Sequence, residues 1–216
     1  MDGVLHSPGL LVVLEGIDGS GKSTLAHALA DALKARGFSD VVVTREPTDG
    51  PFGREIRAIA AGGRANVTKE YEYQLFQDDR RAHVEAVVRP ALERGAVVVQ
   101  DRSYFSTLVY QGERGLDPVA MRAESEQIAP KPDLLFIVDV PVEVALTRIR
   151  NTRTAADDFE REESLARVRR RFLGFEEAHI VDGTRPPEEV TRVVLDTILA
   201  ARRGRTPASA SASTLS

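Results

Sequence analysis

The sequence predicts an α/β protein: a five-stranded parallel sheet flanked by helices on both faces, a three-layer sandwich. Three observations lead there. Short runs of consecutive apolar residues recur along the chain, the pattern of strands buried on both faces. Longer stretches with helical start and stop signals separate them, and strands alternating with helices imply βαβ units. The first apolar run passes through a glycine-rich segment directly into a helix.

Taken in order, Leu10–Leu14 (LLVVL) is the first strand, closed by Gly16. A helix follows from Lys22 to Arg36, with Gly37 as its C-terminal glycine. Val41–Val43 is the second strand. A long helix runs from Lys69 to Arg94 and ends at Gly95; Pro90 interrupts it near its end, because proline lacks the N–H and its ring clashes with the preceding turn. Ala96–Val99 and Leu134–Val138 are the third and fourth strands, and His179–Val181 is a weaker fifth. Pro141–Arg150, Glu160–Ala178 and Pro187–Arg202 read as helices. Between the first two of these, Asn151–Asp158 (NTRTAADD) is polar and aperiodic, the signature of a mobile loop. The domain is expected over residues 10–203, after a flexible extension at 1–9 and before a disordered Ser/Ala tail at 204–216. There is no internal repeat.

Composition excludes several functions. Across 216 residues, 42% hydrophobic and 29% charged side chains are ordinary globular usage. The 29 Lys+Arg and 33 Asp+Glu leave a net charge of −4, which argues against a nucleic-acid coat but allows a local basic pocket. Without cysteine the chain has no disulfide, thiolate zinc site or cysteine nucleophile, and four scattered His argue against a transition metal. No apolar stretch approaches the ~20 residues of a membrane span. The start lacks the basic and apolar regions of a signal peptide, so a cytoplasmic protein without a membrane partner is expected.

Gly16-Ile17-Asp18-Gly19-Ser20-Gly21-Lys22-Ser23, followed by Thr24, fits the phosphate-binding pattern G-x-x-x-x-G-K-[ST] between a strand and a helix. Its glycines let backbone N–H groups turn inward around phosphate oxygens, and the helix adds its positive dipole end. Lys22 is placed to reach the β and γ phosphates, and Ser23 to ligate Mg²⁺. The pattern alone does not separate kinases, switches and motors. The absence of any Asn-Lys pair removes the guanine-reading element of switches, and the chain is short for a motor. A small phosphotransferase is favoured.

Three further motifs concern a second substrate. Arg45-Glu46-Pro47 follows the second strand and Asp101-Arg102-Ser103 the third, both at the carboxyl edge of the sheet where ligands bind. Phe76 and Arg80 lie one turn apart on the long helix. Together with Gly16–Thr24 and Tyr110-Gln111-Gly112, these resemble the motifs of thymidylate kinases in order and spacing, from about Leu10 to Ala200. Ile180-Val181-Asp182, followed by Pro187-Glu188-Glu189, is similar to the way that family closes.

The resemblance implies ATP-dependent phosphorylation of dTMP to dTDP. It implies that Phe76 stacks on the thymine and that Arg80 donates to its exocyclic oxygen. Arg102 would grip the acceptor phosphate, assisted by Arg57. Asp18 would orient the sugar hydroxyl, Tyr110 would select deoxyribose, and Pro47, Ser106 and Gln111 would complete the acceptor site. Asp101 would hold Mg²⁺ through water, with Glu15 a weaker candidate. A lid at about 148–161 would bring Arg148, Arg150 and Arg153 to the phosphates, because the phosphate loop carries no basic residue of its own between its outer glycines. A homodimer is implied too. Two positions depart from the pattern. Asp158 stands where many relatives carry arginine, leaving Arg153 or Arg161 to compensate. Gln77-Asp78 replaces a small pair, and would alter base preference if those side chains faced the pocket. The alternatives are a kinase for another nucleotide or deoxynucleoside, which a substrate panel separates, and a regulator that binds ATP without producing ADP.

Overall fold

The computed structural model describes residues 9–64, 66–150 and 158–205. Five parallel strands form one sheet in the order β2-β3-β1-β4-β5: β1 Leu10–Glu15, β2 Val41–Arg45, β3 Val97–Asp101, β4 Leu134–Asp139 and β5 Ala178–Asp182. The central strands β1, β3 and β4 are covered on both faces, which is why their sequences are unbroken apolar runs. The period of two divides each run between two cores. Leu10, Val12 and Leu14 face α1 (Lys22–Ala35) and α9 (Pro187–Arg205), packing with Leu29, Leu33, Val194 and Ile198. Leu11 and Val13 face the opposite layer with Tyr104, Phe105, Leu108 and Phe172. No helix among the described residues is long and apolar enough to cross a membrane.

The long helix from Lys69 stays helical but changes its hydrogen bonding along the way. It divides into α3 (Lys69–His83), a π-helical turn (Val84–Val88) and α4 (Arg89–Glu93), with Pro90 in the first turn of α4. Proline is accommodated there because the π turn just ahead of it replaces the regular i−4 pairing that a proline, having no N–H, cannot make.

Three helices emerge that the sequence reading did not include. α2 (Pro51–Gly62) places Phe52, Ile56, Ile59 and Ala60 at helical spacing behind Pro51 at its start, and of these it fully buries only Ile56. α5 (Tyr104–Glu113) carries Tyr104, Phe105, Leu108 and Val109 at helical spacing and is buried over seven of its ten residues, the polar Ser106, Thr107 and Gln111 among them. α6 (Pro118–Ile128) buries only Met121 and Ser125; its start is marked by Asp117, whose side chain accepts from Val119 N, and by Pro118.

The helix expected over 160–178 stops earlier. α8 runs from Asp158 to Phe172, the chain turns through Gly174, and β5 already begins at Ala178. Phe172 and Phe175 dock on the core from either side of this turn, and that tertiary contact ends the helix. α7 occupies Val142–Arg150. α9 extends to Arg205, past Gly204 where the tail was expected to begin; 1–8 and 206–216 lie outside the described residues, as do 151–157 of the expected loop.

Candidate active site

The chain leaves β1 toward β2 on one side and β3 toward β4 on the other, so the carboxyl ends of the adjacent strands β1 and β3 form the crevice where open α/β sheets bind ligands. Gly16–Ser23 leaves β1 there, and Arg102 leaves β3. Two glycines of the loop are required by close approach. A Cβ on Gly16 would lie 2.5 Å from Val138 O, and one on Gly19 2.5 Å from Ala145 O, at φ of +139° and +80°.

Lys22 is buried at 5% exposure; its Nζ donates to Ile17 O (2.8 Å) and Ser20 Oγ (3.1 Å). Burial lowers its pKa to about 7, helped by the nearby Arg102 and opposed by Asp101, Asp18 and Glu15. Ser23 Oγ donates to Asp101 Oδ2 in a short hydrogen bond, while Asp101 Oδ1 is buried with no protein partner. A hydroxyl beside a carboxylate with a spare buried oxygen suits a hard divalent cation such as Mg²⁺. Glu15 is committed elsewhere. Its carboxylate accepts from Ser103 N (2.8 Å), Ser106 N (3.1 Å) and both of those serine hydroxyls, anchoring the N-terminus of α5. Burial raises the Glu15 pKa against the lowering pull of Arg102, the two serines and Lys22.

Arg102 adopts a left-handed backbone (φ 67°), uncommon for a side chain with a Cβ and a reason to look for function. Its N–H donates to Leu14 O (2.9 Å), and its carbonyl accepts from Gln100 Nε2 (2.9 Å). The guanidinium donates to Ser106 Oγ (2.8 Å) and Asp18 Oδ1, and lies 5.5 Å from the centroid of the Tyr110 ring.

A cavity of about 210 Å³ opens beside Arg102. All nine acceptor-site candidates border it: Asp18, Pro47, Arg57, Phe76, Arg80, Arg102, Ser106, Tyr110 and Gln111. Tyr110 Oη and Gln111 Oε1 are buried there without a protein hydrogen bond. Arg57 is not free to swing, since it donates to Pro47 O (3.0 Å), Thr48 O (2.7 Å) and Asp49 Oδ1 (3.0 Å). Arg80 is not a surface charge. At 1% exposure it is held by Glu46, Gln77 and Thr107.

Sequence reasoning missed the supports of this cavity. Burial alone would push the Glu46 carboxyl up, but Arg80 and His83 hold it below its ordinary value. His83 sets Nδ1 3.0 Å from Glu46 Oε1 and Nε2 2.6 Å from Thr44 Oγ1. Asp79 fixes the segment after β2 by accepting from Thr48 N (2.8 Å) and Thr48 Oγ1 (2.6 Å). Glu72, fully buried at the cavity edge, pairs with Arg64 and Arg114. Glu46 stands inside a quoted motif and Asp79 directly before Arg80, but only the fold assigns them work. Gln77, the departure that raised a question of base preference, is buried and does not border the cavity.

On the other side of the phosphate loop, a cavity of about 270 Å³ is bordered by Ser20, Gly21, Thr24, Arg148, Gly183 and Arg185. Arg148 crosses it, donating to Gly19 O (3.4 Å), Ser20 O (3.3 Å) and Gly183 O (3.1 Å). The loop therefore stands between two cavities, as transfer between two bound molecules requires. A larger space of about 560 Å³ between α1, β2 and the π turn meets this site only at Ser23 and Asp101. The side chain of Arg150, and Arg153 altogether, lie outside the described residues, as do the side chains of Asp158 and Arg161.

A family model described as thymidylate kinase matches residues 14–194. Among curated proteins, a thymidylate kinase of Xanthomonas campestris pv. campestris (strain B100) is 41% identical over 199 residues, covering 91% of this chain and 86% of that protein. One from Xanthomonas oryzae pv. oryzae (strain PXO99A) is 41% identical over 203 residues, 93% of this chain and 88% of that one. One from Xylella fastidiosa (strain M12) is 42% identical over 200 residues, 91% and 90% of the two chains.

Proposed function

The chain belongs to the thymidylate kinase family, and from that premise we propose how its residues divide the work of the reaction. The reaction is ATP-dependent phosphorylation of dTMP: an acceptor phosphate oxygen bonds to the γ-phosphorus of ATP, the bond from that phosphorus to the β-bridging oxygen breaks, and dTDP and ADP form.

The acceptor, with its second phosphate pKa of about 6, is already ionised at neutral pH, so no side chain need remove a proton. Alignment and charge neutralisation remain. Arg102 takes the acceptor phosphate, a role supported by its fork of donors beside the loop. Asp18, which pairs with that fork, receives the sugar hydroxyl, and Tyr110 lies against the sugar. Phe76 stacks on the base, Arg80 donates to its carbonyl, and Pro47, Arg57, Ser106 and Gln111 complete the wall. Gly16–Thr24 holds the ATP phosphates, with Lys22 at the transferring group. Arg148, already on the loop backbone, lines the cavity that suits the donor nucleotide. Arg150 and Arg153 add positive charge from the lid.

Ser23 and Asp101 would hold Mg²⁺, partly through water, a reading supported by the spare buried oxygen of Asp101. When bound, the ion offsets charge on the phosphate oxygens and orients them for transfer. We further infer a homodimer acting in the cytoplasm, both carried over from the family.

The observation that carries this reading is that the nine acceptor candidates, drawn from four separate stretches of sequence, border one cavity at the phosphate loop. A coupled assay of ADP formation across dTMP, dUMP, dCMP, UMP and thymidine tests it. Fastest turnover is expected with dTMP; fastest turnover on another member would overturn the substrate assignment, and ATP binding with no ADP from any would overturn the kinase.

A further inference from the structure

Arginine carries five N–H donors and no acceptor, so whatever surrounds a buried guanidinium decides which of its edges a ligand can meet. Arg80 is fixed at three different nitrogens by three different elements. Nε donates to Glu46 Oε2 (3.1 Å) just after β2, Nη1 to Gln77 Oε1 (2.6 Å) on α3, and Nη2 to Thr107 Oγ1 (2.8 Å) on α5. Of these three partners, Glu46 and Thr107 border the cavity themselves, whereas Gln77 holds Arg80 from behind it.

Because Arg80 can only donate, the Gln77 amide must turn its oxygen inward. Ser125 Oγ of α6 donates to the same oxygen (3.2 Å), reinforcing that orientation. The Gln77 Nε2 is left to donate to Tyr73 Oη (2.9 Å), and Tyr73 donates onward to Glu124 Oε2 (2.7 Å). A carboxylate only accepts, so the chain Gln77–Tyr73–Glu124 has one direction. The bonds from Arg80 and Ser125 to the Gln77 oxygen are buried, while the chain reaches solvent at Glu124. Asp78, the other half of the unusual pair, accepts instead from Gln74 Nε2 (3.0 Å) on the exposed face of α3.

We propose that Gln77 is a positioning residue for base selection: with Glu46 and Thr107 it locks Arg80, so that the acceptor base meets only N–H donors there. This rests on the reading above that Arg80 faces the base. A pyrimidine with a carbonyl at that edge accepts from Arg80. One with an amino group there brings donor against donor, and the locked guanidinium cannot turn away.

The test compares kcat and KM for dTMP and dCMP in the wild type, Gln77→Leu, Gln77→Glu, Tyr73→Phe and Arg80→Lys. Removing one hydrogen bond to a charged group should raise KM for dTMP about tenfold in Gln77→Leu, leave kcat within about threefold, and lower the dTMP-over-dCMP preference about tenfold. Gln77→Glu keeps the acceptor and should keep that preference, and Tyr73→Phe should lower it less than Gln77→Leu does. Unchanged preference in Gln77→Leu overturns the proposal. Equal losses in Gln77→Leu and Gln77→Glu also overturn it, because Glu keeps the acceptor for Arg80 that the proposal requires. If Gln77→Leu does not fold, unchanged preference in Tyr73→Phe is the overturning result. Arg80→Lys separates the premise from the proposal. Preference intact in that variant removes the reading of Arg80 itself, whereas preference lost there but intact in Gln77→Leu removes only the role of Gln77.

Discussion

Lys22 sits where burial and neighbouring charge act against each other. With its pKa lowered to about 7, the amine is largely neutral at pH 8. Phosphates placed beside it favour the ammonium and return the pKa toward its ordinary range. Binding of ATP at pH 8 should therefore draw close to one proton from solution, and less as pH falls below 7, where Lys22 already carries its proton. Calorimetry in buffers of different ionisation enthalpy measures this uptake, and Lys22→Met should abolish it. Arg102 makes the second case at this scale. Its left-handed backbone is held by Leu14 O and Gln100, and its guanidinium by Asp18 and Ser106. Arg102→Ala should lower kcat/KM for dTMP by about 10²–10³, the scale expected when a preorganised charge-stabilising donor is lost. Steady-state kinetics at fixed ATP measures it, and wild-type values would remove Arg102 from the acceptor phosphate. The place of Arg102 was legible because Asp-Arg follows an apolar run at the sheet's carboxyl edge, while its role came from the family resemblance. Glu46, His83 and Asp79 were not, because their partners are 31 to 37 residues away or on another element.

At the scale of elements, α5 carries Ser106, Tyr110 and Gln111 to the cavity, and its start is tied to β1 by Glu15. Glu15→Ala would leave two buried backbone N–H groups without an acceptor. That should cost about 3 kcal/mol in denaturant unfolding, and loosening α5 should raise KM for dTMP more than KM for ATP. An equal rise in both would show that α5 is not specifically an acceptor-side element. The same helix shows the limit of pattern reading. Its run YFSTLVYQGE keeps Tyr104, Phe105, Leu108 and Val109 at helical spacing, but the polar Ser106, Thr107 and Gln111 are buried as well, so pattern alone does not show which of its side chains meet the cavity. The opposite holds for α1, where Leu25, Leu29 and Leu33 keep one face apolar and Gly37 ends the turn. The π turn ahead of Pro90 and the early end of α8 at Phe172 were also invisible locally. In α8, tertiary docking of Phe172 and Phe175 overrode local helix tendency.

For the whole molecule, the strand order β2-β3-β1-β4-β5 does what the motifs cannot do separately. It sets the ends of β1 and β3 side by side, and so brings Gly16–Ser23 and Asp101–Ser103 together across more than seventy residues. Light scattering on the purified protein should return twice the mass of one chain if the proposed homodimer forms; a single-chain mass would remove it. By itself, the sequence determined what can be encoded between neighbours. Unbroken apolar runs specify strands buried on both faces, a glycine-lysine-serine spacing specifies a phosphate nest, and an ordered set of short motifs specifies a family. The net charge of −4 gave no hint that Arg57, Arg80 and Arg102 border one cavity. Only the tertiary structure decided that Arg80 is buried and triply held, that Gln77 joins Arg80 to α6 behind the cavity, and that Glu15 anchors a helix while Asp101 keeps an oxygen to spare. The reason is that a polar side chain's role follows from the partners that replace its water on burial, and in this fold many of those partners stand on other elements.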